Sequence, residues 1–429
     1  MSFLKKITLN SFIGYLGGSD NFLALDFGTT SIKAAIFKIE PDEDRKNLRA
    51  VILGVGKSLI KSEDIREEAA DELLESCREA KKEAENMAGI QANKIIIGSG
   101  GQLIKIQTSI ENYQRRNSEK PISLSEIKKI IQKIQWKILN DIRQKEKEEC
   151  NVPEKDIKII SGKINEIKVD GYQVINPIGF TGNEVVLNIL NIYTSRPYFE
   201  FFRQITKDLN VRMAAMTANA YAVLNAVYDS LFKANNLGEV SGIILDFGGK
   251  ITDICLAQQG YFQGPKTISF GGDAFTKRLV KKLKLSRQEA EKLKIEYTAN
   301  NLPKAIKQKV SEIFSPDLKV WLRGVEAVLH DFSLIENYPW LILIYGGGSL
   351  LPGIIDALEG KNWQEKFRFL KEIQVSQLQA GNIVSVDDKT ELLKSIEDIP
   401  VLSLANLGLE LIKKKPVMNS ILDRVIRLM

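Results

Sequence analysis

The chain has 429 residues, 44% of them hydrophobic and 27% charged, with a formal net charge of +6. These values suit a soluble, mildly basic protein with room for two lobes with real cores, and the charge is too modest to indicate nucleic acid as a partner. Cys77, Cys150 and Cys255 are odd in number and far apart, which argues against a disulfide framework or a cysteine metal cluster and for a reducing compartment. No run approaches the roughly 20 apolar residues of a membrane-crossing helix, and no signal-peptide pattern precedes the first strand, so the bulk of the chain is expected in the cytoplasm.

From Met1 to Asp20, Phe3, Leu4, Ile7, Phe12, Ile13 and Leu16 with Lys5 and Lys6 suit a membrane surface, packing on the first lobe or disorder, and these alternatives stay open. Phe22 to Leu25 form an apolar run that closes at Asp26, turns through Gly28-Thr29-Thr30 and enters a second β-like run. A helix beginning near Ser62 carries Ile65, Ala69, Leu73, Cys77, Ala80, Ala84 and Met87 on one face and stops at Gly89. Ser123-x-x-Glu126 reads as a capping box for a helix with an Ile127, Ile130, Ile134, Ile138 stripe, and the charged run from Arg143 as its solvated end. Asn176 to Gly182 is a Pro- and Gly-punctuated turn between strands. After Ser195-Arg196-Pro197 a helix runs towards Asn210, and the small residues from Met213 to Ala226 are expected to pack closely on a sheet.

The tetrapeptide Leu25 to Gly28 recurs as Leu245 to Gly248, again between an apolar run and a turn of small residues. Two such hairpins suggest two related half-domains facing one ligand. Glycine lets backbone N–H groups approach an anion closely, and the hydroxyls of Thr29 and Thr30 add donors. Asp26 and Asp246 beside those donors would repel phosphate unless a cation intervenes; hydrated Mg²⁺ bridges carboxylate to phosphate. Downstream, Ser286-x-x-Glu289 opens a helix on which Glu291 and Lys294 share a face. A third glycine element follows the strand Leu341 to Tyr345, with Gly346-Gly347-Gly348 and Gly353.

In this order the three elements resemble the phosphate-1, phosphate-2 and adenosine motifs of the actin-like ATPase superfamily, an α/β fold with two lobes around a nucleotide cleft. Within it the chain resembles FtsA, the division protein that ties the FtsZ ring to the membrane, from about Phe22 to Leu411. Lys94 to Ser109 looks like the entry into the FtsA-type 1C subdomain, and Asn176-Pro177-Ile178-Gly179-Phe180-Thr181-Gly182 like the return. The resemblance divides the chain into an extension (1–20), a first lobe (21–97 and 184–235) with a 1C-like insertion (98–183), a second lobe with the adenosine motif (236–412), and a basic linker with an amphipathic tail (413–429).

The resemblance also implies ATP and Mg²⁺ as cofactors. Gly28, Thr29, Thr30, Lys33, Gly248, Gly249, Lys250, Gly346, Gly347 and Gly348 are then cofactor-binding, with Glu291 and Lys294 at the ribose; those two also suit a solvated ion pair. Asp26 and Asp246 would hold Mg²⁺ through water, and Asn219 would orient a water. The second turn departs from the family's D-x-G-G-G-T-x-D, with Lys250 in place of the third glycine and Ile251 in place of the threonine, so ATP binding is expected with weak or absent turnover. The implied partners are an FtsZ-like protein, further copies in filaments and an anionic membrane surface at the inner face of the cell. PilM, the type IV pilus scaffold, and the small-molecule kinases of the same superfold are the alternatives.

Beyond Lys413-Lys414-Lys415-Pro416, the residues Val417, Met418, Ile421, Leu422, Val425 and Leu428 recur at helical spacing. The pattern, the lysines and the FtsA resemblance point to a membrane-targeting amphipathic helix, although the connection is far shorter than the family's linker. A docked structural helix is the alternative.

Overall fold

A computed structural model describes residues 20–42, 47–60, 70–101, 103–150, 156–233, 241–259, 261–332, 337–413 and 415–429. The readings for Met1 to Leu16, Ile65, Ala69 and Lys414 lie outside these residues. The first lobe opens with β1 (Phe22–Phe27), β2 (Ser31–Pro41), β3 (Leu48–Leu59), α1 (Ala70–Ala88) and β4 (Lys94–Ser99). An inserted segment comprises β5 (Lys105–Gln114), α2 (Leu124–Cys150), β6 (Ile157–Val169), β7 (Tyr172–Gln173) and β8 (Glu184–Ser195). The chain then forms α3 (Arg196–Asp208), β9 (Arg212–Ala218) and α4 (Asn219–Ala226). The second lobe contains β10 (Gly242–Phe247), β11 (Thr252–Gln258), β12 (Tyr261–Ile268), α5 (Gly272–Leu283), α6 (Arg287–Thr298), α7 (Lys304–His330), β13 (Leu341–Tyr345), α8 (Ile354–Glu359), α9 (Lys361–Gln364) and β14 (Gln374–Gln377). β15 (Val386–Asp388), α10 (Ile399–Ile412) and α11 (Val417–Arg427) follow.

The doubled tetrapeptide marks a doubled sheet. Strands β3-β2-β1-β4-β9 stand side by side in one lobe, and β12-β11-β10-β13-β14 repeat that order in the other. In each set the first three strands are antiparallel and the last two join in parallel. β1 and β10 are thus equivalent central strands, buried by apolar residues on both faces as parallel neighbours require. The small-residue stretch from Met213 divides into β9 and α4.

Three expectations are corrected. The insertion does not end at 183, because β8 pairs with β5 from Gln114↔Glu184 to Lys105↔Tyr193 and with β6 along the same residues. Its sheet also joins the second lobe, through Gln263↔Gln107 and Gly264↔Ile106. Second, Glu126 does not complete a capping box: its carboxylate takes Arg115 Nε and Nη2 (2.8 and 3.0 Å), while Ser123 Oγ accepts the Glu126 N–H (3.2 Å). Arg115, buried, also donates to the Gly182 and Lys120 carbonyls. With the Ile122 N–H to the Phe180 carbonyl and the Gly179 N–H to the Ile122 carbonyl, the glycine-rich turn clamps the loop ahead of α2; Gly179 does so at φ +91°.

Third, the chain returns to the first lobe before residue 412. β15 pairs in parallel with β3, and α10 lies against β1, β2, β3, β4 and α4. Every residue from Ile399 to Leu409 is buried. A helix apolar on all sides has to be enclosed, and the space beneath the first sheet encloses this one.

The tail helix α11 folds back onto the inserted subdomain. Met418, Ile421, Leu422, Val425 and Ile426 join the isoleucines of α2 and β6 in one buried cluster. Of the residues expected at a membrane, Met418, Ile421, Leu422 and Val425 therefore face protein in this structure, and Val417 and Leu428 are exposed. An 11-residue helix is marginal alone in water. It needs an apolar partner, and each such side chain contributes about 1.5–3 kcal/mol on full burial. Among the described residues no helix is long and apolar enough to cross a membrane.

Candidate functional site

Phe22 to Leu25 and Ile243 to Leu245 are wholly buried, so Asp26 and Asp246 are the first polar side chains each central strand delivers at its end. The turns beyond them match: the Gly28 N–H donates to the Ser31 carbonyl (3.2 Å), and the Gly248 N–H to the Ile251 carbonyl (3.0 Å). The residue opposite the aspartate differs. In the first hairpin it is Lys33, in the second Asp253.

Three carboxylates consequently crowd the space between the hairpins. Asn219, at the start of α4, donates from Nδ2 to Asp26 Oδ1 (2.8 Å). Its own Oδ1 is buried and has no hydrogen-bond partner among the described residues. Burial pushes the Asp26 carboxyl up to about 6, against the pull of Lys33 and Asn219 and with a push from Asp398. Burial likewise raises Asp253 to about 6, although the Thr267 hydroxyl (2.6 Å) and the Gly101 N–H donate to it. Asp246 is held well above the usual carboxylate range by burial and then by the charges of Asp253 and Asp26. Each is a cost that a nearby cation would remove.

The two turns meet across the cleft. The Lys250 N–H donates to Thr29 Oγ1 (3.3 Å), and a Cβ on Gly249 would lie 2.3 Å from Thr30 Cγ2. Only glycine permits that approach. Behind the second turn, the first N–H groups of α5 hold it in place: Gly272 donates to the Gly248 carbonyl (3.0 Å) and Asp273 to the Gly249 carbonyl (2.8 Å).

The third glycine element comes to the same place. Gly346, at φ +87°, lies so close to Asp246 that a Cβ there would be 2.8 Å from Oδ1. Lys294 Nζ donates to the Gly272 carbonyl (3.2 Å) and the Thr276 hydroxyl (2.9 Å) and pairs with Glu291 (2.8 Å), while Thr276 Oγ1 donates to Glu291 (2.5 Å). A Cβ on Gly272 would be 3.7 Å from Lys294 Nζ and 3.9 Å from the Gly348 Cα, so residues far apart in sequence share one wall. The helix carrying the pair starts with the expected box: Ser286 Oγ accepts the Glu289 N–H, and Glu289 Oε2 the Ser286 N–H (2.8 Å).

Lys33 is the exception among the expected cofactor residues. Its ammonium is committed to Asp398 Oδ1 (2.6 Å) and the Glu397 carbonyl (2.7 Å), which fastens the hairpin to the start of α10. The residues Val417 to Leu428 lie on the inserted subdomain, away from the cleft. Sequence reading missed Asp253, Gly101, Gly271, Gly272 and Glu397, whose carboxylate reaches across to Gly347. A second aspartate in the hairpin and a glycine pair ahead of a helix were signals for three of these; nothing local marks Gly101 or Glu397.

A family profile described as "Cell division protein FtsA" matches residues 243–386. Cell division protein FtsA of Streptococcus pneumoniae is 22% identical over 360 residues, covering 79% of this chain and 73% of that protein. FtsA of Bacillus subtilis is 23% identical over 377 residues, covering 80% and 77%. Among solved structures, the PilM-PilN type IV pilus biogenesis complex has a chain that superposes with a TM-score of 0.59 at 13% identity, over 90% of this chain and 98% of that one. The chain therefore has the actin-like ATPase fold, and the proteins of that fold it resembles in sequence are the FtsA cell division proteins.

Proposed function

We propose that this chain is an ATP-binding, actin-like scaffold of bacterial cell division, which self-associates and links an FtsZ-like ring protein to the inner face of the cell membrane. The observation that carries the nucleotide part is the meeting of two equivalent glycine turns beside Asp26 and Asp246. The residues fit Mg-ATP. The crowded carboxylates of Asp26, Asp246 and Asp253 call for positive charge. The turns offer N–H and hydroxyl donors with no side chain at Gly249 to block them.

In this reading Gly28, Thr29, Thr30, Gly248, Gly249 and Lys250 hold the phosphates, and Gly346, Gly347, Gly348, Glu291 and Lys294 hold the nucleoside. Asp26 and Asp246 bind Mg²⁺ through its waters. Bound Mg²⁺ neutralises the phosphate oxygens and the facing carboxylates together. The Thr29 hydroxyl and the Lys250 N–H, bonded to each other across the cleft, would lie beside the phosphates, so that occupancy would be tied to the closed spacing of the two turns. Asn219 fixes the Asp26 carboxylate. Lys250 and Ile251 change the donors around the terminal phosphate, so turnover is slow.

The test is co-sedimentation of the purified chain with FtsZ polymers, with and without ATP. ATP-dependent sedimentation with FtsZ supports the proposal. Capture by a pilus-protein peptide with no FtsZ binding would move the chain to the PilM type of scaffold, and steady phosphoryl transfer to a small molecule would make it a kinase.

A further inference from the structure

Among the described residues, the apolar face of α11 is covered by the inserted subdomain. Leu422 and Ile426 fill the space left by the missing side chain of Gly162: a Cβ there would lie 3.1 and 2.9 Å from them. β6 shifts register between Ile164 and Glu166, and the Asn419 side chain accepts the Ile164 N–H at 2.7 Å. The other face of the helix carries Arg424 and Arg427, both exposed, and Lys413 and Lys415 are exposed just ahead of it. Over residues 413–429 five basic side chains stand against one acidic, a net charge of +4.

We propose that α11 is a stowed membrane anchor: the groove between β6 and α2 shields its apolar face, and docking there and insertion into an anionic lipid surface are mutually exclusive. This rests on the membrane-linking role proposed above. The same side chains, Met418, Ile421, Leu422, Val425 and Ile426, fill the groove and would enter the lipid, so one helix serves one surface at a time. Lys413 and Lys415 pair with Glu410 and Asp423 in the docked state, and the exposed Arg424 and Arg427 face outward to anionic headgroups and bring the chain to the surface before release. Release also uncovers the β6 face around Gly162, so lipid attachment and exposure of that groove are coupled.

The experiment is flotation of the full-length chain with phosphatidylglycerol-containing and with neutral vesicles, alongside Gly162→Leu, which fills the groove and leaves the tail's own sequence intact. Hydrogen–deuterium exchange of the backbone amides over 417–427 reports release of the helix. Wild type should float weakly, and Gly162→Leu several-fold more on anionic vesicles only, with the gain lost on truncation after Ile412. Asn419→Ala, which removes only the bond to β6, should give a smaller gain of the same kind and serves if Gly162→Leu folds poorly. Strong flotation of wild type that is lost on truncation and not raised by either variant overturns the stowing and leaves the membrane role standing. No flotation of either variant with the helix shown to be released overturns the membrane role of the tail itself.

Discussion

Lys33 Nζ lies 2.6 Å from Asp398 Oδ1, and both side chains are buried. Through this pair the first hairpin is fastened to the start of α10, the helix that lines the underside of the same sheet. Lys33→Met leaves Asp398 buried without its cation, which should cost about 3–5 kcal/mol of stability. Lys33→Met with Asp398→Leu should recover most of it. Urea denaturation of the three proteins measures this; equal midpoints for wild type and Lys33→Met would show that the pair contributes nothing.

Asp26 and Asp253 titrate near 6 in the folded chain against an ordinary value of 3.8. The folded state therefore binds more protons between those values. Their contribution to stability is fully present below about 3.8 and is lost as pH rises through 6. Asp26→Asn should accordingly raise the melting temperature of the nucleotide-free chain at about pH 7.5 and have little effect near pH 4. Mg²⁺ favours the charged carboxylates, so the stabilisation by Mg-ATP should shrink as pH falls below 6. Thermal melts of both proteins across this range, with and without Mg-ATP, are the check, and parallel profiles would contradict the assignment.

Gly249 and Thr30 touch across the cleft. Gly249→Ala places a methyl group against Thr30 Cγ2 and should hold the turns apart, weakening ATP binding by about tenfold or more, or 1.4 kcal/mol. Thr30→Ser removes Cγ2 and should restore part of the affinity in the double variant. An affinity unchanged by Gly249→Ala would mean that the closed contact plays no part in nucleotide binding.

The two hairpins, the capped α6 and the isoleucine stripe of α2 were legible because each rests on local pattern: an apolar run ending in Asp-Phe-Gly, a Ser-x-x-Glu box, a repeat near 3.6 residues. The return of α10 to the first lobe was not. Its sequence is apolar on every side, which says that it is enclosed without saying by which sheet. The tail shows the same limit, since Met418, Ile421, Leu422 and Val425 read equally as a lipid face or a protein face. Asp253 was visible as part of the second motif, and what hid its place was the hairpin register that sets it against Asp246, as Lys33 is set against Asp26.

Lys250 stands where the related motif has glycine, and its N–H is already bonded to Thr29. Phosphate release by wild type should be slow, well below the roughly 1 s⁻¹ at the low end of ordinary enzymes. Lys250→Gly should release phosphate faster at unchanged fold stability. Brisk turnover by wild type would show that the altered turn does not limit hydrolysis.

The nucleotide site is the centre of this account, and calorimetric titration of wild type and Asp246→Ala with ATP, in Mg²⁺ and in EDTA, tests it most directly. Asp246 sits where the second hairpin, Gly346 and the Asp253 carboxylate converge. Wild type should bind Mg-ATP at least about tenfold more tightly than the variant, and chelation should remove most of that difference. Equal affinities for the two proteins in Mg²⁺ would contradict the assignment of the paired hairpins as the Mg-ATP site.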